Sequence, residues 1–205
     1  MLERIEQNLL HHHPRTINSQ LPEAAVLIPI IDTSRPELIF TRRAVHLSTH
    51  GGEIAFPGGK RDREDTSLEI TALRESHEEI NLAPEAVKIL GRTGSVISRF
   101  GLEVTPFVGI VADNTTLIPN TEELDVIFKV PLSFFLEPEN LRVDQFRIAH
   151  KNYSMPAYQF ENHLIWGLTA IILVEFLNIT LETDIPLDVP QFSESSSREH
   201  GFIQG

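Results

Sequence analysis

Between Phe56 and Ile80 the chain reads FPGGKRDREDTSLEITALRESHEEI, and no other segment restricts its fold so tightly. Gly58 and Gly59 leave the main chain uncovered and free to take positive φ, so a carbonyl or amide there can approach a metal or a phosphate closely. The residues that follow predict a helix, with Thr66 and Glu69 as a capping box and Asp65 as the other possible N-cap. At about 100° per residue, Ile70, Leu73, His77 and Ile80 share one side, which predicts the packed face and a core role for His77. Glu75, Glu78 and Glu79 gather on nearly the opposite side. On a solvated face such charges cost only a few tenths of a kcal/mol. In a partly enclosed cleft, two of them about 5 Å apart repel by about 3 kcal/mol at an effective dielectric near 20, and so require a counter-cation or a proton. Hard oxygen donors at this density suit Mg²⁺ or Mn²⁺.

The flanking pattern predicts an α/β protein. AAVLIPII at 24–31 and LIFTRR at 38–43 read as a hairpin, EIAF as a short strand into the glycine pair, and Leu2, Ile5 and Leu9 as one face of a short N-terminal helix. Beyond Pro84, strands are expected near 87–97, 103–112, 125–130, 145–150 and 157–161, with a turn or short helix at PLSFFL and a final helix over about 166–178. Helices packed on a mixed sheet follow from this order. With 205 residues, 41% hydrophobic and 22% charged, the chain suits one domain over 24–180, preceded by a lead-in at 1–23 and followed by a tail at 181–205. The tail is polar and Ser-rich from Asp188, which predicts mobility.

A net charge of -12 opposes phosphate backbones, so nucleic acid is not an expected partner. The absence of cysteine excludes disulfides, thiolate nucleophiles and Cys-ligated zinc, and fits a cytoplasmic location. The longest apolar run, LIWGLTAIILV, stops at Glu175, short of the roughly 20 residues that span a bilayer, so no membrane is expected. The start of the chain does not read as a secretory signal.

The glycine pair and the acidic helix together resemble the Nudix hydrolase signature, with Gly59, Asp65 or Thr66, Arg74-Glu75, Glu78-Glu79, Asn81 and Leu82 at its positions. Asn81 stands where Gly is usual, and Asn tolerates the left-handed conformation of a helix C-terminus. Fourteen residues separate Gly59 from Arg74, one more than in the general signature, a length found in the coenzyme A pyrophosphatase branch. IFTRRAVHLSTHGGEIAFPGG resembles the second motif of that branch through Thr41, Arg43, Ala44, Gly52 and Phe56 to Gly59, whereas Ser48 replaces an Arg. Arg42, Arg43, Lys60, Arg61 and Arg63 are cations that could compensate. The likeness covers most of 24–178.

The resemblance implies a Nudix-type α/β/α sandwich with a mixed central sheet. It implies metal-dependent hydrolysis of a nucleoside-linked diphosphate, which for coenzyme A gives 3′,5′-ADP and 4′-phosphopantetheine. Glu75, Glu78, Glu79 and the Gly59 carbonyl would hold the metal, and Arg74 would fix these ligands; the general base is either one of the helix glutamates or a later-loop carboxylate, for which Glu123, with Glu122 close behind, is the candidate. Arg42, Arg43, Gly52, Glu53, Phe56, Gly58, Gly59 and Lys60 are the expected substrate-binding residues, with His50 beside them in the same loop. Trp166 and Phe160 are expected in the core, and the histidines at 11–13 in a loop. The alternatives are another nucleoside diphosphate derivative such as ADP-ribose or a dinucleotide, or, given Ser48 and Asn81, a catalytically silent nucleotide-binding module. A homodimer is also compatible with the sequence.

Overall fold

The computed structural model describes residues 1–17, 19–46, 51–148 and 151–187. The readings of Ser48, His50 and the polar tail from Asp188 fall outside the described residues.

β1 (Glu23–Asp32) is apolar on both faces and sits at the centre of the sheet. Ala24, Ile28 and Ile30 join one hydrophobic cluster, whereas Ala25, Leu27 and Ile31 join another on the opposite face. β7 (Glu103–Ala112) lies parallel to β1 from Glu23↔Glu103 to Asp32↔Ala112. β5 (Val87–Arg92) and β6 (Val96–Ile97) add antiparallel to β7. The single strand expected over 87–97 is therefore two, separated by Thr93 to Ser95, with a register shift between Ile89 and Gly91.

The expected hairpin is only a junction. β2 (Glu37–Arg43) pairs with β1 at Ile30↔Leu38 and Ile31↔Glu37. It then runs along β8 (Leu124–Pro131), with β3 (Ile54–Ala55) on its other side. The strands part because β4 (Gly58–Lys60) takes the edge of β1 from Ala24 to Val26. One parallel pair among antiparallel ones makes the central sheet mixed.

α2 (Leu68–Ile80) covers one face of this sheet, over Ala25, Leu27, Ile39 and Phe107. On the other face, α3 (Gly167–Leu181) buries Leu173, Val174, Phe176 and Leu177 with Phe40 and Ile28. α1 (Leu2–His11) packs there too through Ile5 and Leu9, and it includes the first of the histidines expected in a loop. The outcome is the expected α/β/α sandwich. A second, three-stranded antiparallel sheet holds β9 (Leu141–Ile148), β10 (Lys151–Phe160) and β11 (His163–Ile165). Its first two strands are longer than expected, and the third was not expected.

Alternation along β2 decides which side chains reach which face. Leu38 and Phe40 point to the α3 side and Ile39 to the α2 side. A register shift against β8 falls between Arg42 and Arg43, and their partners separate them: Arg43 lies 4.0 Å from Glu79 of α2, whereas Arg42 lies 3.7 Å from Asp125 and acts on His163.

Candidate active site

α2 starts one residue later than its capping box predicted. Ser67 is the N-cap, and its hydroxyl accepts from the Ile70 N–H at 3.2 Å. Asp65 is thereby free for another task. At the far end Asn81 takes φ 55 and ψ 32, and its N–H donates to the His77 carbonyl at 2.9 Å, so the left-handed turn survives without glycine.

The packed face of α2 differs from the expected one. Thr71, Ala72, Ser76, Glu79 and Ile80 are buried, His77 is exposed, and Ile70 is 44% exposed. The small side chains of Ala72 and Ser76 let the helix settle close on the sheet. That rotation carries Glu79, one of the three carboxylates assigned to the outer face, beneath the glycine segment.

The glycines form a strand, and the main chain of β1 requires the first of them, while the second leaves room for the Glu75 carboxylate. A Cβ on Gly58, at φ 153, would overlap the Ala25 carbonyl and Val26, and one on Gly59 would overlap the Glu75 carboxylate. Leu27 donates to Pro57 O and Arg61 to Glu23 O, so the ladder turns the Gly59 N–H and carbonyl toward Ala25. Those of Gly58 face away from β1, and the Gly58 N–H donates to Glu79 Oε2 at 3.0 Å.

Arg74 organises the carboxylates. Its Nε and Nη2 fork onto Asp65 at 3.1 and 2.9 Å, Nη1 donates to both Glu75 and Glu78 at 3.0 Å, and Nη2 also donates to the Lys60 carbonyl at 3.1 Å. Asp65 is buried and accepts further bonds from the Thr71 hydroxyl and the Asp62 N–H, both at 2.9 Å. The Arg74 fork, above all, holds the Asp65 carboxyl well below the usual range, and Asp65 in turn holds the Arg74 guanidinium charged.

Glu79 is 5% exposed, and burial, the main cause, pushes its carboxyl up to about 7. The charges of Glu75 and Glu123 push the same way, against the Gly58 N–H and Arg43, whose Nη1 lies 4.0 Å from Glu79 Oε1. Burial also raises the Glu75 carboxyl, opposed by Arg74. Glu123 reaches this group because its loop hangs from the end of α2. Ile118 donates to Ile80 O at 3.0 Å and Asn120 to Glu79 O at 2.8 Å, while Ala44 donates to Glu123 O at 2.8 Å.

The structure thus gathers Arg43, Gly58, Gly59, Arg74, Glu75, Glu78, Glu79 and Glu123. It places other expected residues elsewhere. Phe56 is buried with its ring 4.7 Å from Phe40, so it serves the core and not a ligand. Lys60 contributes a carbonyl to Arg74 while its side chain is exposed. Gly52, at φ 80, donates its N–H to the Arg43 carbonyl, and Glu53 pairs with Arg99 at 3.2 Å. Arg42 lies on the opposite sheet face. Trp166, expected in the core, is 40% exposed because it caps the start of α3, whereas Phe160 does pack, 5.0 Å from Phe134. Two residues carried no expectation. Thr71 supports Asp65 from one turn into the helix, through a hydroxyl that donates across six residues of chain. Arg99 meets Glu53 across 46 residues of chain, which no local pattern reveals.

Among the described residues no three carboxylate or imidazole groups converge into a ready metal cage, since Glu75 and Glu78 both lean on Arg74. The donor set nevertheless fits a hard divalent ion. Mg²⁺ keeps several waters and takes one or two carboxylates, and a further cation would offset the charge that Arg43, 4.0 Å from Glu79, leaves uncompensated.

A sequence model of the NUDIX domain matches residues 21–152, well over half the chain. This chain is a Nudix hydrolase. It is 41% identical over 160 residues to a protein of Yersinia enterocolitica described as an uncharacterized Nudix hydrolase, NudL, covering 78% of this chain and 82% of that one. A NudL of Yersinia pestis is 42% identical over 168 residues, covering 80% and 82%. Among solved structures, a MutT/nudix family protein from Enterococcus faecalis superposes with a TM-score of 0.51 at 14% identity, covering 89% of this chain and 70% of that one. That last likeness concerns the fold alone. The residues matched by that domain include Arg74, Glu75, Glu78 and Glu79, of which Arg74 joins Glu75 and Glu78.

Proposed function

We propose that this Nudix hydrolase cleaves the diphosphate of coenzyme A or its derivatives, giving 3′,5′-ADP and 4′-phosphopantetheine or its acyl form. One observation carries the metal-dependent part: Glu79 is held at 5% exposure next to Glu75 and within the field of Glu123, an arrangement that a cation would complete. The substrate assignment rests on Thr41, Arg43, Ala44, Gly52 and Phe56 to Gly59, the branch pattern that frames the same site.

Glu75, Glu78 and Glu79 would hold Mg²⁺ or Mn²⁺. The ladder favours the Gly58 carbonyl over that of Gly59 as the main-chain ligand, because Gly59 is turned onto Ala25. The chemistry such an ion would supply is neutralisation of the diphosphate charge and a lowered pKa for water. Arg74, anchored by Asp65, keeps the carboxylates of Glu75 and Glu78 aligned, a positioning role. Arg43 presents its guanidinium on the carboxylate side without a hydrogen bond among the described residues, ready for a phosphate oxygen. Glu123 is the general base of this reading: it projects from a loop fixed to α2 and its charge acts on both Glu75 and Glu79.

The test is product analysis with coenzyme A and with ADP-ribose, each with and without Mg²⁺ or Mn²⁺, on the wild type, Glu78→Gln and Glu79→Gln. Metal-dependent cleavage of coenzyme A should be lost in both variants, by about 10²-fold or more, with folding retained. Undiminished turnover in the variants would remove the assigned site. Cleavage of ADP-ribose alone would replace the substrate, and tight nucleotide binding without product under either metal would make the chain a binding module.

A further inference from the structure

Arg42 has no role in the site just described, yet it is not a satisfied surface arginine. Its side chain is 33% exposed, its Nη2 stands 3.7 Å from Asp125 Oδ2, and its Nε is buried without a hydrogen-bond partner. Beside it, on the α3 face, the His163 ring stacks on Phe128 with centroids 3.9 Å apart and planes at 13°. His163 Nδ1 is also buried and unpartnered. The field of Arg42 reaches this ring, that of Glu161 opposes it, and Asp125 is held in place by the Val45 N–H at 3.2 Å.

Arg74 shows what a structural arginine does in this fold: its fork is filled by Asp65, Glu75, Glu78 and a carbonyl. Arg42 instead makes one long ion pair, to Asp125, and leaves Nε without a partner beside the ring pair of Phe128 and His163. Unfilled donors in part-buried surroundings are costly, and a planar guanidinium matches phosphate oxygens. The next residue, Arg43, addresses the carboxylate side, so the end of β2 presents to both of its faces a guanidinium held only by a long ion pair.

We propose that Arg42, with His163 beside it, forms a subsite for a phosphate monoester that the substrate carries apart from its scissile diphosphate. The inference rests on the coenzyme A reading, in which the nucleotide product bears such a group at its 3′ position. Asp125 steers the guanidinium and leaves it short of a full ion pair, so an incoming dianion supplies the missing acceptor.

The experiment measures kcat/KM for coenzyme A and for 3′-dephospho-coenzyme A on the wild type, Arg42→Ala, Arg42→Lys and His163→Phe, with folding checked by circular dichroism. The wild type should prefer coenzyme A by about 10- to 100-fold, the scale of a charge-assisted contact. In Arg42→Ala that ratio should fall to near one, mainly through KM. Arg42→Lys should recover part of it, and His163→Phe, which keeps the stack on Phe128, should lie between. A wild type without preference, or a ratio equal in wild type and Arg42→Ala, overturns the subsite. Should neither coenzyme be cleaved while ADP-ribose is, the coenzyme A reading alone fails. The subsite is then decided by the same ratio on ADP-ribose with and without a ribose phosphate, under the same overturning result.

Discussion

Glu79 shows how one side chain can couple stability to function. Its folded carboxyl is raised from 4.5 to about 7, chiefly by burial. In the metal-free protein its contribution is complete below pH 4.5 and is lost as pH rises through about 7, a change on the order of 3 kcal/mol. Glu79→Gln keeps an acceptor for the Gly58 N–H and removes the titration. Urea midpoints of the metal-free protein should therefore decline between pH 4.5 and 7 more steeply in the wild type than in Glu79→Gln. Parallel curves would show that burying this carboxylate costs nothing. Saturating Mg²⁺ should raise the wild-type midpoint most at the alkaline end, where the ligand is ionised.

At the scale of the element, α2 is fixed less by its cap than by the Asp65–Arg74 pair, which ties the loop after β4 to the middle of the helix. Asp65→Asn keeps the shape but leaves Arg74 with a neutral partner in a buried setting. A loss of about 3 kcal/mol is expected, at the low end for a broken buried pair because Glu75 and Glu78 remain. A weaker apparent affinity for Mn²⁺ should accompany it, measured by titration, as the two carboxylates lose their alignment. Unchanged metal affinity would mean that Arg74 does not position them. Much of this element was legible beforehand. The i,i+4 pairing of Arg74 with Glu78 and the tolerance of Asn81 for a left-handed turn are local properties, and both appear as read, whereas Glu79 leaves the outer face for the buried one. The packed face was legible only at Ile80, because helical spacing also selects Ile70 and His77 whereas the approach of helix to sheet selects Ala72 and Ser76. Small residues reveal their face only when the opposing surface is known, and here that surface includes a strand of two glycines. For the same reason the pairing of β2 with β8, across about 85 residues, was beyond any local pattern.

For the whole molecule, the question is where the folding unit begins. The sequence suggests a lead-in before residue 24, and the family match begins at 21, yet the hydrophobic core does not respect either point. Ile5 is fully buried and Leu9 is 5% exposed, both within the cluster that holds α3 against the sheet. Further ties join this segment to distant parts of the chain: Arg4 pairs with Glu182, Lys88 with Glu6 at 2.6 Å, and Asn8 donates to the Thr180 carbonyl at 3.0 Å. The surface pairs add little, so the apolar contacts dominate. Ile5→Ala should therefore cost 2–5 kcal/mol, about what truncating a buried isoleucine costs anywhere in a core. The carboxylates of α2 lie across the sheet from α1, so kcat/KM measured well below the lowered melting temperature should stay within about twofold of wild type. A shift of only a few tenths of a kcal/mol in the urea midpoint would instead make α1 an appendage to a core that stands without it.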